Sequence, residues 1–551
     1  MPTDALHDKE SMKREHGAGF SWADTAICVM AGLVIVLCVY ARIRLLGVPL
    51  ERDEGEFAYF GQLILKGVPP FAVAYSMKLP GIYGMYALIM ALFGQSSQGV
   101  HLGLLIVNLL TVVLIFHLAA RLCDRYAGAM AAAVYALLSV SATVVGIFAH
   151  ATHFVVLFVM AGFVCLFEAL DRDRRFLLLL AGLLFGMAFL MKQHAALFLV
   201  FAVLYLAVRG MRDSAGRSRS MAGCAFFLLG MVIPYILTVL WMINAGVFDK
   251  FWFWTAQYAR EYATSEKLVN RLEWFFTTTT NIIKPQVPLW LIAIGAIGLL
   301  ATTQGRHRDR LFIFGLLLFS FLAICPGFYF RQHYYIMMLP AMALFIGIGL
   351  RSIAALPALS HRGVFRQVLP AVLFSAAVTY GFVSERSYLF SLPPAQVSRT
   401  IYDLNPFPEA VEIARYIRDH TDPHDRIAVL GSEPEIYFYA DRLSATGHIY
   451  MYGLMEEQPF AERMQMQLIS EIEAMRPEYV VVVNVETSWL VRAASSRKIL
   501  EWGESFVRNR YDLVGVVDMI DFETTRYVWD DKAAGYKPLS NLFLTVFKRR
   551  G

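Results

Sequence analysis

Long apolar runs separated by short polar connections dominate the chain as far as residue 386. The first run, Thr25 to Leu46, has about 20 nearly uncharged residues, enough for one helix to cross the hydrocarbon core of a bilayer. Similar runs follow at residues 100–120, 127–149, 151–170, 176–191, 195–208, 222–244, 286–302, 311–326, 335–356 and 368–386. The pattern predicts about eleven membrane spans.

The connections between these runs alternate in kind. One class is basic and comprises residues 121–125, 171–175, 209–220, 306–310 and 361–366. Positively charged loops tend to stay in the cytoplasm. This orientation requires that residues 79–94 do not cross, so we predict a re-entrant or interfacial helix there. The N-terminus is then cytoplasmic, and an odd number of spans places the C-terminal end outside the cytoplasm.

The pattern changes from residue 387, where apolar runs shorten and charges become regular. Amphipathic periodicity predicts helices at 408–420 and 460–475, and β-rich runs predict strands at 426–431, 478–484 and 542–548. Helices alternating with strands indicate a small α/β layer. We predict a mainly α, polytopic helical bundle (1–386, with a first periplasmic loop at 48–99) followed by a soluble periplasmic α/β domain (387–551).

Composition agrees with a membrane protein. Of the 551 residues, 57% are hydrophobic and 17% charged, and mean hydropathy is +0.52, which is outside the usual range of soluble domains. The net charge of +5 is dispersed between apolar runs, which argues against nucleic acid as a partner. The cysteines show neither a disulfide framework nor a set of metal ligands.

The unusual polar residues fall on the predicted outward side. They occur in residues 51–78, 146–154, 191–194, 246–285 and 328–335. Ionisable groups at a membrane are costly to desolvate and often mark substrate sites. We therefore expect these outward segments to line one cavity.

The acids that follow the first span, in RDEGEF, and Lys78, in YSMKLP, are the first candidates. Asp53 and Glu56 would share one face of a helix. These acids are either a solvated helix N-terminus, which the macrodipole favours, or catalytic groups. Lys78 is either an interfacial lysine that snorkels to the surface or a phosphate ligand.

With these motifs the chain resembles the bacterial C-type glycosyltransferases that use polyprenyl-phosphate sugars. This group includes lipid A aminoarabinose transferases, rhizobial galacturonosyltransferases and, more distantly, protein O-mannosyltransferases. GMAFLMKQHAALF (186–198), QHYYIMMLPAMAL (332–344) and residues 405–442 share in the resemblance. It implies transfer of a sugar from a polyprenyl-phosphate donor to lipid A, lipopolysaccharide, a glycan or a protein, at the periplasmic face of the inner membrane.

The resemblance also implies roles for single residues. Asp53 would be the catalytic base, with Glu54 beside it, and Lys78 would bind the donor phosphate. The chain departs from the aminoarabinose enzymes because Met77 replaces a glutamate and only one proline follows Lys78. A phosphate leaving group needs positive charge rather than a general acid, so we add Lys192, Arg331 and Arg260 as donor ligands. The predicted substrate-binding residues are Glu56, Tyr59, His153, Gln193, His333 and Tyr334.

Several alternatives stay open. One carboxylate acting as base opposite the leaving group predicts inversion of the anomeric carbon. The acids of the first loop could hold a divalent cation, but a cationic donor site could act without one. To bind zinc, His150 and His153 would need a third ligand such as His333 or Asp53.

Other functions and arrangements also remain. The aromatic stretch 246–285 is either an interfacial helix pair or a lid over the cavity. The rival function is a polytopic transporter of a lipid or glycan, for which repeated halves and ionisable groups near the midplane are typical. A membrane scaffold whose tail binds a partner is a third hypothesis. The sequence predicts no oligomeric state.

Overall fold

The computed structural model describes residues 22–212, 217–264, 268–302, 310–353 and 363–551. Its first part is helical, with α-helices at Trp22–Arg44, Arg52–Leu65, Pro80–Phe93, Ser97–Leu122, Arg125–Val140, Ala151–Arg172, Arg175–Met191, Ala196–Arg212, Arg217–Asn244, Phe248–Trp252, Ala259–Thr264, Leu268–Ile283, Val287–Thr302, Arg310–Ile324, Leu339–Ile353 and Gly363–Ser384. Within these ranges, five helical stretches are long and apolar enough to cross a membrane, and several shorter apolar helices accompany them. The chain is a multi-pass membrane protein.

The segment that we predicted to skim the membrane forms the helix Pro80–Phe93, of 14 residues. At 1.5 Å per residue it is about 21 Å long, which is shorter than the hydrocarbon core of about 30 Å. It packs on Arg52–Leu65, where the rings of Phe60 and Tyr83 stack at 4.1 Å.

The predicted apolar run at 127–149 is shorter in the structure, because its helix ends at Val140. The Ser141 hydroxyl and the Ala142 N–H donate to the Glu385 carboxyl group at 2.8 and 2.9 Å. Arg42 donates to the carbonyl of Gly146 at 2.9 Å. These side chains satisfy the backbone of a buried loop, which would otherwise be costly inside the bundle. The loop ends at His150, the residue that precedes the helix Ala151–Arg172.

The C-terminal part forms a six-stranded mixed sheet in the order β2-β1-β3-β6-β4-β5. The strands are β1 Arg426–Leu430, β2 Leu443–Ser444, β3 Tyr479–Asn484, β4 Tyr511–Met519, β5 Thr525–Trp529 and β6 Phe543–Arg549. β1 pairs in parallel with β2 and β3, and the other pairs are antiparallel. The α-helices of this part are Arg386–Phe390, Pro394–Tyr402, Phe407–Asp419, Glu435–Ala440, Tyr452–Met455, Ala461–Met475, Glu486–Trp489 and Lys498–Arg510. The predicted fold class, a helical bundle with a small C-terminal α/β domain, is confirmed.

The helix Arg52–Leu65 joins the bundle to the sheet domain. A Cβ added at Gly55 would lie 2.6 Å from the backbone nitrogen of Glu435, so only glycine permits this close approach. The Tyr59 ring packs 5.3 Å from that of Tyr437, and the Ser444 N–H donates to the Tyr59 hydroxyl at 2.8 Å. The acids of the first loop are thereby fixed between two domains.

Candidate active site

A cavity of about 760 Å³ lies where the helical bundle meets the sheet domain. All the predicted outward segments contribute to its wall, through Asp53, Glu56, Lys78, His150, Lys192, Gln193, Arg260, Arg331, His333 and Tyr334. The sheet domain and the chain leading to it close the other side with Tyr402, Asn405, Tyr450, Tyr452, Glu456 and Thr487. The structure therefore brings most of the predicted site residues together.

Asp53 and Lys78 form an ion pair in this cavity. The Lys78 ammonium donates to Asp53 Oδ1 at 2.8 Å and to Glu56 Oε2 at 3.2 Å. Burial acts to raise the pKa of Asp53, but the charge of Lys78, followed by that of His150, brings it below its ordinary value. Burial would lower the pKa of Lys78, yet Asp53 and Glu56 raise it above the ordinary lysine value. Both groups are charged at neutral pH.

The Glu56 side chain is more deeply buried than that of Asp53. Its Oε1 accepts hydrogen bonds from the Ser76 hydroxyl and, at 3.3 Å, from the Tyr83 hydroxyl. Burial is the main cause that raises the pKa of Glu56, and Lys78 opposes it. Of the two acids that contact Lys78, Asp53 is therefore the one that stays ionised most readily.

Glu54 lies outside the cavity wall, although we predicted a catalytic role for it. Its backbone N–H bonds the Glu51 side chain, and its own side chain accepts from the Glu51 N–H at 3.3 Å, which is a capping box. Glu54 Oε1 also accepts from the Ala149 N–H and lies 3.1 Å from His101 Nε2. Successive helical residues point about 100° apart, so Asp53 faces the cavity while Glu54 faces the bundle.

Tyr59 and His153, two predicted substrate ligands, are also placed elsewhere. Tyr59 is fully buried against the sheet domain. His153 is buried in the first turn of the helix Ala151–Arg172, where its ring faces the bundle rather than the cavity. His150, which precedes that helix, lines the cavity instead.

Lys192 and Arg331 are cations that face the cavity, and neither has an acidic partner among the residues that the structure describes. The Lys192 ammonium lies 4.3 Å from the centre of the Tyr334 ring. Burial lowers the pKa of Lys192 to about 7. Burial also acts to lower the pKa of Arg331, but Tyr262 and Tyr334 raise it. The surroundings thus leave positive charge available for an anion.

Two other predicted ligands border this region. Arg260 lines the cavity from the segment after the π-helix Phe253–Tyr258 and is exposed. The Gln193 amide donates to the carbonyl of Met77 at 3.0 Å, which ties the loop of Lys192 to that of Lys78.

Asp53, His150 and His333 offer ligand atoms that all lie within 4.8 Å of one another. The rings of His150 and His333 stack at 4.2 Å. Burial lowers the pKa of His150 to about 4 and that of His333 well below its ordinary value, so both are neutral, as metal ligands must be. A zinc ion would fit this donor set, but it would compete with Lys78 for Asp53.

Sequence analysis missed the contribution of the sheet domain and of Arg52. The buried Arg52 guanidinium donates to the Tyr452 hydroxyl at 2.6 Å, to Glu433 Oε1 at 2.9 Å and to the carbonyl of Ser432. The Tyr402 hydroxyl lies 3.3 Å from His150 Nε2. The only signals for these partners were an arginine beside Asp53 and the aromatic residues within 402–452.

Comparison with known proteins supports the predicted resemblance. A family model described as dolichyl-phosphate-mannose-protein mannosyltransferase matches residues 77–238. Among curated protein sequences none matches the chain.

Similar folds occur among solved structures. ArnT from Cupriavidus metallidurans bound to undecaprenyl phosphate aligns with a TM-score of 0.55 and 16% identity over 92% of this chain and 99% of ArnT. The apo state of the same ArnT aligns with a TM-score of 0.52 and 15% identity, over 92% of this chain and 98% of ArnT. The apo oligosaccharyltransferase of Archaeoglobus fulgidus aligns with a TM-score of 0.53 and 12% identity, over 94% of this chain and 75% of that enzyme. The chain therefore has the fold of the C-type membrane glycosyltransferases, as its sequence motifs predicted.

Proposed function

We propose that the protein is a glycosyltransferase that moves a sugar from a polyprenyl-phosphate donor to a hydroxyl of its acceptor. The observation that carries the proposal is the convergence of Asp53, Lys78, Lys192 and Arg331 in one cavity between apolar helices and a polar domain. ArnT, which shares the fold, was crystallised with undecaprenyl phosphate, and this supports a lipid phosphate as the leaving group.

The charges of the cavity suit the departure of a phosphate. A polyprenyl-phosphate sugar is a phosphodiester with one negative charge, and its product is a monoester whose second pKa is about 6. The leaving group therefore gains negative charge as the bond to the sugar breaks. Lys192 and Arg331, which have no acidic partner in the described part of the chain, can stabilise that charge in a water-poor site.

Asp53 is the proposed general base. The acceptor oxygen forms a bond to the anomeric carbon, its proton passes to the Asp53 carboxylate, and the phosphate leaves with the electron pair of the broken C–O bond. Lys78 is at once the partner of Asp53 and a proposed phosphate ligand. When the donor phosphate draws Lys78 towards itself, Asp53 loses the charge that depresses its pKa and becomes a stronger base.

The proposal extends to stereochemistry and location. A single carboxylate base on the face opposite the phosphate would invert the anomeric centre. The site would face the periplasm of the inner membrane, with lipid A, lipopolysaccharide, another glycan or a protein as acceptor, because the positively charged connections favour a cytoplasmic position for the other side. No divalent cation enters the proposed reaction, because the Lys78 ammonium already occupies the Asp53 carboxylate.

The test is mass spectrometry of envelope glycolipids and glycoproteins from a deletion strain, complemented with the wild-type chain or with Asp53→Asn. We expect one sugar modification to disappear in the deletion strain, to return with the wild type and to stay absent with the variant. An envelope identical in the deletion and parent strains, under conditions in which the protein is expressed, would refute the proposed function.

A further inference from the structure

Tyr450 of the sheet domain lines the cavity. It lies in a segment defined here as the roof loop (residues 448–456, including the one-turn helix Tyr452–Met455), which follows β2 and borders the cavity. The Lys78 ammonium lies 5.9 Å from the centre of the Tyr450 ring and 4.7 Å from that of Phe57. The lysine paired with Asp53 is thus close to one aromatic ring of the bundle and one of the sheet domain.

The roof loop is fixed on both sides of Tyr450. The Met451 N–H donates to the Ser432 hydroxyl at 2.8 Å. The Tyr452 hydroxyl accepts from Arg52 at 2.6 Å and donates to the carbonyl of Thr487 at 2.5 Å. Because Arg52 precedes Asp53 directly, one side chain fixes the roof loop relative to the acid. Tyr450 is therefore preorganised, which is what a residue that positions a substrate requires.

The Tyr450 hydroxyl has an unused hydrogen-bonding capacity. Its neighbour Tyr452 bonds both Arg52 and Thr487, whereas the Tyr450 hydroxyl bonds none of the residues in the described ranges. The residue is only half-buried, so a ligand in the cavity can reach it. Burial raises the pKa of Tyr450 well above its ordinary value, with Asp53 the next cause, so the phenol keeps its proton.

The charged neighbours of Tyr450 favour an anion. The ring borders Lys78 on one side, and Tyr450 is among the tyrosines that raise the pKa of Arg331 against the effect of burial. Tyr450, Lys78 and Arg331 all line the same cavity, so a neutral O–H donor and two cations are available together to a bound phosphate. Without such a ligand, the Tyr450 hydroxyl has no hydrogen-bond acceptor among the described residues.

We propose that Tyr450 binds a non-bridging phosphate oxygen of the lipid donor through its hydroxyl, so that the sheet domain takes a direct part in the active site. This inference rests on the proposed function, because it takes the lipid phosphate as the ligand. A hydrogen bond to a charged group contributes enough for its loss to weaken binding by about 10-fold to 100-fold.

The test compares undecaprenyl phosphate with undecaprenol, which has the same chain and no phosphate. Binding of each to the purified full-length protein in detergent micelles is followed by tryptophan fluorescence, and the ratio of the two affinities isolates the phosphate contribution. Tyr450→Phe keeps the ring beside Lys78 and removes only the hydroxyl. Tyr527→Phe on β5, outside the cavity wall, is the matched control, and Arg331→Gln reports on the phosphate site itself.

We expect the affinity ratio to fall about 10-fold to 100-fold in Tyr450→Phe, to fall in Arg331→Gln and to stay unchanged in Tyr527→Phe. If the affinity ratio of Tyr450→Phe equals that of the wild type while that of Arg331→Gln is reduced, the inference is overturned and the proposed function stands. Equal losses for undecaprenol and undecaprenyl phosphate in Tyr450→Phe also overturn it, because the hydroxyl would then act on the fold. A wild-type protein with no preference for the phosphate overturns both.

Discussion

The affinity of the site for a lipid phosphate should fall as the pH rises through neutrality, because Lys192 titrates there. Burial lowers the pKa of Lys192 to about 7, although the Asp53 carboxylate opposes the shift. The ammonium form, which is present below this pKa, is the one that attracts the phosphate. Raising the pH removes its proton and with it one of the cations that lack an acidic partner in the described residues.

The magnitude follows from the strength of the contact that is lost. A hydrogen bond between an ammonium and a phosphate contributes about 1.5–3 kcal/mol, and one pKa unit corresponds to about 1.4 kcal/mol. Phosphate binding should therefore raise the pKa of Lys192 by about 1–2 units. The affinity then declines by about 5-fold to 25-fold between pH 7 and about pH 9, because half of the free lysine has already lost its proton at pH 7.

The measurement is binding of undecaprenyl phosphate across this pH range to the wild type, to Lys192→Arg and to Lys192→Met. The second pKa of a phosphate monoester is about 6, so the ligand keeps its charge throughout. Glu51 and Glu56, whose pKa values burial raises, line the same cavity and are unchanged in both variants, so any contribution they make to the pH profile is common to all three proteins.

The decisive quantity is therefore the difference between the pH-dependent loss of affinity in the wild type and that in Lys192→Arg, whose side chain keeps its charge. We expect Lys192→Arg to lose much less affinity than the wild type over this range, and Lys192→Met to bind weakly at every pH. Parallel pH profiles for the wild type and Lys192→Arg would show that Lys192 does not contact the phosphate.

Three further changes test other parts of the site. Asp53→Asn should reduce transfer by about 10²–10⁴-fold while undecaprenyl phosphate still binds, because the variant loses the base and frees Lys78; transfer near the wild-type rate would remove Asp53 from the mechanism. Transfer should continue in the presence of EDTA, because the Lys78 ammonium already neutralises Asp53. Added Zn²⁺ should inhibit transfer by binding Asp53, His150 and His333. Loss of activity in EDTA that a metal ion restores would contradict this. Gly55→Ala should lower the free energy of unfolding by about 1–3 kcal/mol, because its Cβ would meet the backbone of Glu435 at 2.6 Å. Gly32→Ala is the control and should cause no such loss, because in the described part of the chain its Cβ would meet nothing within 4 Å beyond its own helix.

Local patterns in the sequence were enough to predict much of the fold. Strands β1, β3 and β6 and the helix Ala461–Met475 lie close to their predicted positions, because each has a clear alternating or helical pattern. β4 was missed. Its pairing with β6 shifts register between Leu513 and Gly515, which disturbs the alternation on which strand prediction depends. β5 was missed as well, and its half-buried residues at the sheet edge give little hydrophobic contrast.

The site was predictable only where proximity follows from chain order or membrane topology. Asp53 and Lys78 belong to one predicted loop, and the structure pairs them. Arg52 contacts Glu433, a residue 381 positions away, and no periodic pattern encodes such a contact. The sequence also could not decide which of the adjacent acids Asp53 and Glu54 faces the cavity, because the answer depends on how the helix is rotated between two domains.

That rotation is set by the two side chains on either side of Asp53. Arg52 is held by the sheet domain through Glu433 and Tyr452, and Glu54 is held by the bundle through the Ala149 N–H. Side chains of successive helical residues point about 100° apart, so fixing the directions of Arg52 and Glu54 leaves Asp53 only the direction into the cavity. Since both anchors are buried and polar, breaking either would leave a polar group without its partner in a dry environment. The position of the proposed base therefore depends on both domains at once.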